Sequence, residues 1–343
     1  MRKFVLPSLA LLSMAVAGQP ALAAPGDTLQ GVKERGVLNC TGGDGSNPGM
    51  AELDDQGNWQ GIDIELCRAL AAAIFGNPDA VDIVPISWAQ RWPALQSGDV
   101  DVIVKSSGGT FSRDTELGFQ FSNTYFLGTS NLLARADLGL ESLADADGGS
   151  VCVLAASSQE KQISSYAERL GIELETITMG NQEELRSAFF SARCDVYIDF
   201  GAGTAITHLA ADNYDDYVAL PDVVALEPQV MIVRQGDDPW LDVVNWTLSA
   251  VLFAEQEGVS SENVDEMRDN PPTAEVAKLL GVTPGFGAPL GLEDDWAYNV
   301  IKHVGNYAEI YDRSLGEDSS YRMARGLNAL WTDGGVLFPY VVD

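Results

Sequence analysis

Arg113 follows a run of hydroxyl-bearing residues and glycines in a strongly acidic chain. Residues 104–122 read VKSSGGTFSRDTELGFQFS, and the 343-residue chain carries 50 acidic and 20 basic residues. A planar guanidinium donates two parallel hydrogen bonds to a carboxylate, which a lysine ammonium does less well. Paired glycines let a backbone approach a ligand closely. The stretch predicts a carboxylate site; the alternative is a surface arginine paired with Asp114 or Glu116.

Asp199 supplies the opposite charge at the end of another run, CDVYID. An aspartate directly after a strand is commonly a turn former. A carboxylate is also the group that an ammonium ion requires in a cleft from which water is excluded. From the residues, both roles stay open for Asp199.

Arg113 and Asp199 lie in segments that alternate between strand-like and helix-like patterns. From Gly36 the order is strand, helix, strand, helix, strand, over GVLNCTG, NWQGIDIELCRALAAAIFG, VDIVPIS, QRWPALQSG and VDVIVKSS. A second copy follows from residue 147, over GGSVCVLAASSQEKQISSYAERLG, ELETIT, NQEELRSAFFSARC and DVYIDFG. This order predicts an α/β fold with two lobes, each a mostly parallel sheet flanked by helices.

Two further segments, TSNLLARADLG and QVMIVRQGDDPW, connect the lobes and predict two hinge crossings. We therefore expect lobe 1 over residues 24–133 and lobe 2 over 134–232. Residues 233–343 should return to lobe 1 and add a C-terminal helical extension. Ligands in open α/β sheets bind at the carboxyl ends of strands, so the two lobes should face one cleft.

The N-terminus has the layout of a cleaved signal peptide. Arg2 and Lys3 precede an apolar run over 4–17, and small residues end the segment at 23. A membrane anchor, the alternative, needs about 20 apolar residues. We expect residues 1–23 to be removed and the chain to be exported, with Ala24 as its first residue.

The formal net charge of −30 disfavours two classes of partner. With its few cations scattered, the chain should be repelled by nucleic-acid phosphates and by anionic membrane surfaces. A metal site is also poorly supported, because His208 and His303 are the only histidines and no Cys-x-x-Cys spacing occurs.

The cysteines stand at Cys40, Cys67, Cys152 and Cys194. In an exported chain an even count indicates disulfides, and four cysteines allow three pairings. The chain order favours Cys40–Cys67 and Cys152–Cys194, since each pair would close a loop within one half of the chain. Buried free thiols are the alternative.

Several segments together resemble a known family: NWQGIDIELCRALAAAIFG, QRWPALQSGDVDVIV, SRDTELGFQFS, RCDVYIDF and VRQGDDPWLDVVNWT. They are similar to the periplasmic amino-acid-binding proteins of ABC importers (solute-binding protein family 3), in the general L-amino-acid-binding branch. The resemblance covers nearly all of the chain after the signal peptide. It implies the type II periplasmic-binding-protein fold, a hinge that closes over an amino acid, and an inner-membrane permease as partner. A monomer without a cofactor is also implied.

The resemblance assigns the residues around Arg113 to the ligand's head group. Arg113 matches the family's arginine for the α-carboxylate. The hydroxyl of Ser106 and the backbone N–H of Gly108 match groups that hold the same head, with Thr110 as a further candidate. A plain flexible loop is the alternative for the glycine-rich part.

The second lobe should supply the remaining contacts with the ligand's head group. Ser158, with Ser157 beside it, resembles a family segment at a helix N-terminus, where a hydroxyl either caps the helix or meets the ligand carboxylate. Asp199 matches the family's acid for the α-ammonium group.

Other residues are candidates for contacts with the ligand's side chain. Trp88 matches an apolar or aromatic wall position. Arg91 falls where this branch and the binders of acidic amino acids carry an arginine, although a helix-surface charge is the alternative. Asp44 and Asn47 are polar candidates in the loop GGDGSNPGM. The residues do not identify the amino acid.

A binding protein is therefore expected rather than an enzyme. No Gly-x-Ser-x-Gly elbow occurs and few histidines could act as bases. Two alternatives remain: a periplasmic dehydratase similar to cyclohexadienyl dehydratase on the same fold, since fold does not determine function, and the ligand-binding module of a sensor.

Overall fold

The computed structural model describes residues 26–43 and 47–343, so the predicted signal peptide and Asp44 lie outside the described residues. The strands are β1 (Leu38–Gly42), β2 (Glu52–Leu53), β3 (Trp59–Gln60), β4 (Val81–Pro85), β5 (Phe119–Arg135), β6 (Ser150–Leu154), β7 (Glu175–Met179), β8 (Val196–Phe200) and β9 (Tyr217–Arg234). The helices are α1 (Asp27–Arg35), α2 (Ile62–Phe75), α3 (Arg91–Ser97), α4 (Phe111–Thr115), α5 (Ser158–Leu170), α6 (Gln182–Phe190), α7 (Gly201–Leu209), α8 (Asp238–Gln256), α9 (Val264–Asp269), α10 (Ala274–Leu279), α11 (Trp296–Val304) and α12 (Tyr307–Ser314).

Lobe 1 is built around the parallel pair β1 and β4, with α2 and α3 from the predicted helical segments. The alanine-rich helix α2 buries most of its residues, because small side chains let it lie close to its neighbours. The Cys40–Cys67 disulfide joins β1 to α2, as the chain order predicted. It constrains the unfolded chain and should stabilise the lobe by roughly 2–4 kcal/mol.

Lobe 2 contains a five-stranded sheet in the order β7-β6-β8-β5-β9. Strand β6 is parallel to β7 and to β8, whereas β5 is antiparallel to both β8 and β9. The second predicted disulfide, Cys152–Cys194, is also present and links β6 to the residues just before β8. The predicted alternation of strands and helices is confirmed in this lobe.

The long strands β5 and β9 run between the lobes. They pair antiparallel from Phe119 opposite Arg234 to Arg135 opposite Tyr217, with register shifts in between. Phe119 at one end of β5 belongs to a core in lobe 1, and Leu132 near the other end belongs to a core in lobe 2. The chain thus crosses between the lobes twice, as predicted.

One predicted strand differs. The segment VDVIVKSS forms only isolated bridges, from Val102 to Cys40 and from Ile103 to Ile232. The hydroxyl of Thr41 forms hydrogen bonds with both backbone groups of Val104. It accepts from the N–H at 2.9 Å and donates to the carbonyl at 3.0 Å. A continuous ladder therefore stops there, and the chain turns at Ser106, whose φ of 36° is in the left-handed region.

The C-terminal helices share a core with the first part of the chain: Leu70 of α2, Leu248 of α8 and Ile301 of α11 belong to one buried cluster. Asn328 holds the hinge strand β5, accepting from the Leu127 N–H at 2.6 Å and donating to its carbonyl at 3.2 Å. The residue boundaries proposed for the lobes stay a prediction. Within 26–43 and 47–343, no helix is long and apolar enough to cross a membrane.

Candidate functional site

A small cavity lies between the lobes, where loops from both converge. Its volume is about 20 Å³, and it is lined by Trp88, Arg91, Ser106, Ser107, Arg113, Leu154, Ser157, Ser158, Gln159, Gln182, Ile198, Asp199 and Glu227. Seven of the residues predicted from the sequence are among them: Trp88, Arg91, Ser106, Arg113, Ser157, Ser158 and Asp199. A volume of this size holds about one water molecule.

The cavity adjoins a wider outer chamber of about 370 Å³. Arg113, Ser157 and Ser158 line both spaces, and Trp92 and Lys161 are among the residues that line the chamber alone. A larger groove of about 590 Å³ shares no lining residue with either space and is lined mostly by apolar side chains such as Trp331 and Phe338. The chemistry of charged groups points to the interlobe cavity.

The lobe 1 wall carries two buried guanidinium groups. The Cζ of Arg91 lies 4.0 Å from the ring centroid of Trp92 and 5.0 Å from that of Trp88. The Cζ of Arg113 lies 4.8 Å from the same Trp92 ring. Cation–π contacts of this kind fix the orientation of each side chain. Arg91 is 1% exposed and its Nε has no hydrogen-bond partner, so it keeps a donor that a ligand could satisfy.

Backbone carbonyls complete the hold on both arginines. Arg91 donates to the carbonyl of Trp88 and, across the cleft, to that of Ala156 at 3.4 Å. Arg113 donates through Nη1 to the carbonyl of Gly108 at 2.5 Å. Burial lowers the pKa of Arg113, and burial together with the Arg113 charge lowers that of Arg91. Guanidinium groups are basic enough to stay protonated in proteins.

Ser106 is held by a network behind the lobe 1 wall. Its hydroxyl donates to Asp63 Oδ2 at 2.9 Å and accepts from Asn47 Nδ2 at 3.2 Å. Tyr125 accepts from the Ser106 N–H at 3.0 Å and donates to Asp63 Oδ1 at 2.6 Å. Burial raises the pKa of Asp63 to about 6, although these hydrogen bonds and the Lys105 charge lower it. The network keeps a serine in an unusual backbone conformation at the cavity.

The lobe 2 wall presents Asp199 at the end of β8. Tyr197 donates to its Oδ2 at 2.7 Å, and the Phe200 N–H donates to its Oδ1 at 2.8 Å. Gln182 donates to Oδ1 at 3.4 Å. Burial raises the pKa of Asp199 to about 6, and these hydrogen bonds lower it. A Cβ on Gly203 would lie 2.4 Å from Oδ2, so the glycine leaves room for the carboxylate.

The serines at the start of α5 line the cavity without capping the helix. Ser157 donates to the carbonyl of Leu154 at 2.6 Å, and Ser158 donates to Gln159 Oε1 at 3.4 Å. Neither hydroxyl accepts from a backbone N–H of the helix. The capping role that the sequence left open is therefore not seen for either serine.

Three predicted residues lie just outside the inner cavity. Thr110 caps α4, accepting from the Arg113 N–H at 3.4 Å, and lines the outer chamber. Asn47 reaches Ser106 but does not line the cavity. Gly108 provides the carbonyl that holds Arg113. Their roles as ligand contacts stay predictions, and Asp44 lies outside the described residues.

Sequence reasoning missed Glu227 and Gln182, which also line the cavity. Glu227 lies on β9, two residues before the segment QVMIVRQGDDPW, and its Oε1 is 3.7 Å from Arg113 Nη1. An acidic residue before a proline in a strand-like run carries little local signal. Gln182 begins α6, where a polar residue is ordinary.

Comparisons with known proteins show which family the chain belongs to. The model of the bacterial extracellular solute-binding proteins, family 3, matches residues 40–256. The general L-amino acid-binding periplasmic protein AapJ of Rhizobium johnstonii is 38% identical over 331 residues, which cover 96% of each chain. The glutamate/glutamine/aspartate/asparagine-binding protein BztA of Rhodobacter capsulatus is 35% identical, covering 95% of this chain and 96% of its own.

A solved structure is similar over nearly its whole length. It is the ABC transporter periplasmic binding protein from Brucella ovis with glutathione bound, 38% identical, with a TM-score of 0.86. The match covers 92% of this chain and 99% of the other. The family match, the near-complete alignments and the two-lobed fold agree: the chain belongs to the bacterial extracellular solute-binding proteins, family 3.

Proposed function

We propose that this protein captures an amino acid in its interlobe cleft, outside the cytoplasm, and delivers it to an ABC permease. The observation that carries the proposal is the placement of Arg113 and Asp199 on opposite walls of one cavity. A zwitterionic head group carries a carboxylate and an ammonium on one carbon. Buried charges of opposite sign on facing walls are complementary to that head group. The relatives named above as amino-acid-binding proteins support the same function.

Each wall has a distinct task in this proposal. Arg113 binds the α-carboxylate with its planar fork, and the N-terminus of α5 at Ser158 favours the same negative charge. Asp199 accepts hydrogen bonds from the α-ammonium group. Ser106 offers an oxygen lone pair, because its proton is directed at Asp63.

Arg91 is the proposed contact for the far end of the ligand. Its buried Nε has no partner, so an oxygen acceptor on the ligand's side chain would satisfy it. Carboxylate and carboxamide side chains both provide such an oxygen. Glutamate, glutamine, aspartate and asparagine are therefore the first ligands to test, and the name of the Rhodobacter capsulatus relative includes all four. Trp88 would pack against the ligand's methylene groups.

Binding requires the lobes to separate and close again. A cavity of about 20 Å³ is too small to admit an amino acid from solution. The strands β5 and β9 run between the lobes, and their register shifts place irregular backbone there. We expect ligand to favour the closed state, in which both walls touch it.

No turnover of the ligand is expected. Arg113 and Asp199 are both assigned to the ligand's head group, whereas a dehydratase needs an acid or base aimed at a leaving group. Export as a monomeric periplasmic protein after removal of residues 1–23 completes the proposal.

The test is a thermal-shift screen of the twenty amino acids and of prephenate, followed by calorimetry and by mass spectrometry of the recovered ligand. Stabilisation by one or more amino acids, recovered intact, supports the proposal. Chemical conversion of prephenate would favour the dehydratase, and no stabilisation by any amino acid would remove the proposed function.

A small peptide is a second candidate ligand, because the outer chamber of about 370 Å³ opens directly beside Arg113. A peptide held by its γ-glutamyl head could extend its remaining residues into this chamber towards Lys161. Glutathione, bound by the relative from Brucella ovis, has that form. In this case Lys161→Ala should weaken glutathione binding several-fold and leave glutamine binding unchanged. Glutathione binding that is undetectable by calorimetry would exclude the peptide.

A further inference from the structure

We propose that Glu227 sets the net charge of the ligand that the cleft accepts, favouring a side-chain carboxamide over the corresponding carboxylate. This inference rests on the proposed binding of an amino acid. Glu227 lines the inner cavity and was not among the residues predicted from the sequence. It is a specificity-determining residue rather than an anchor of the ligand.

The Glu227 carboxylate is held firmly beside Arg113. Gln162 of lobe 2 donates to its Oε2 at 2.6 Å, and Gln162 is itself fixed because its Oε1 accepts from Ser130 at 2.7 Å. The other oxygen, Oε1, lies 3.7 Å from Arg113 Nη1. That distance is an ion pair but too long for a hydrogen bond. Glu227 therefore interacts electrostatically with Arg113 but accepts no hydrogen bond from it.

Gly108 provides the space in which this carboxylate lies. A Cβ at position 108 would come within 1.9 Å of Glu227 Oε1 and 2.4 Å of its Cδ. Any side chain larger than hydrogen would therefore force the carboxylate to leave its present position beside Arg113. The glycine that the sequence linked to a close approach of ligand thus also permits a close approach of Glu227.

The ionised side chains that line the cavity are balanced. The cations are Arg91 and Arg113; the anions are Asp199 and Glu227. A zwitterion with a neutral side chain leaves this balance at zero. A ligand with a second carboxylate adds one negative charge that nothing offsets in a site of low dielectric. Replacing Glu227 by a neutral residue would leave one positive charge, which an acidic ligand would match.

The experiment compares Glu227→Gln with the wild type by calorimetry at pH 8, where Asp199 is ionised, using glutamine and glutamate. The glutamine substitution keeps the size of the side chain and its contact with Gln162. We expect the ratio of glutamate to glutamine affinity to rise by about tenfold to a hundredfold. A general loss of stability affects both ligands alike and cancels in this ratio. Glu175→Gln, on an exposed position of β7, is the matched control and should leave the ratio unchanged.

Gly108→Ala gives a second test that retains the charge. The added methyl group should displace the carboxylate from its present position beside Arg113. The same ratio should then shift in the same direction, by less than in Glu227→Gln. An unchanged ratio in Glu227→Gln, with a wild type that binds either ligand, overturns the role of Glu227 and leaves the proposed function intact. A wild type that binds no amino acid overturns both.

Discussion

The two walls of the cleft are buried to a similar degree but hold charges that differ in how they respond to pH. On lobe 1, Arg91 and Arg113 are 1% and 7% exposed and lie against the ring of Trp92. On lobe 2, Asp199 is 6% exposed and accepts hydrogen bonds from Tyr197 and the Phe200 N–H. Burial disfavours the charged form on both walls.

The outcome differs because of the chemistry of each group. A guanidinium is so basic that burial leaves it protonated. For Asp199, burial raises the pKa from 3.8 to about 6. Mild acid can therefore protonate this carboxylate. The positive charge of the lobe 1 wall should therefore not change with pH, whereas the negative charge of Asp199 should be lost in mild acid.

The largest expected effect comes from removing the guanidinium group of Arg113 from the lobe 1 wall. Truncating one partner of a buried charged pair typically costs about 2–5 kcal/mol. Arg113→Ala should therefore weaken amino-acid binding by roughly 30-fold to several thousand-fold. Arg113→Lys should recover only part of the affinity, because the charge survives but the planar fork does not. Calorimetry that found Arg113→Ala near wild type would place the arginine outside the ligand site.

A smaller effect should follow from titrating the other wall. Between pH 7.5 and pH 5, most of Asp199 becomes protonated because its pKa is about 6. Affinity for the amino acid should then fall by about tenfold, since each pH unit below the pKa lowers the ionised fraction by about a factor of ten. In Asp199→Asn this dependence should shrink to what remains from Asp63, whose pKa is also about 6. A pH dependence that survives unchanged in Asp199→Asn would assign it elsewhere.

The smallest effect concerns stability, and its sign is opposite. A carboxylate whose folded pKa is raised binds protons more tightly when folded, so it favours folding as the pH falls through that pKa. When the pH falls from 7 to 5, Asp199 should therefore raise the unfolding free energy of the ligand-free protein by about 1 kcal/mol. Denaturant titrations of the wild type and Asp199→Asn at both pH values measure this term. A larger gain in the asparagine variant would contradict it.

How far the sequence predicts this cleft depends on whether a residue has a local signal. Arg113 follows glycines and hydroxyls, and Asp199 ends a clear strand-like run, so the family resemblance could assign both to the cleft before the structure. Glu227 and Asp63 lie in an ordinary strand and an ordinary helix start. Glu227 lines the cleft only because β9 crosses beside Gly108, and Asp63 lies behind its wall only because α2 begins behind Ser106. No local pattern encodes these long-range contacts.

The same distinction explains the differences in the fold. The disulfides and the alternating elements follow from the order of residues along the chain and are confirmed. The strand expected over VDVIVKSS does not form continuously, because Thr41 takes the backbone groups of Val104. That hydrogen bond joins residues 63 positions apart, beyond the reach of strand propensity.

The most direct test asks whether the two walls hold opposite ends of one molecule. The first ligand is the amino acid that stabilises the wild type most strongly, and the second is its analogue that lacks the α-amino group. Calorimetry at pH 8 measures the affinity of the wild type and of Asp199→Asn for each of them. We predict that Asp199→Asn weakens binding of the amino acid at least tenfold but changes binding of the analogue little, because only the amino acid carries the ammonium ion. An equal change for both ligands would contradict the placement of the ammonium group at Asp199.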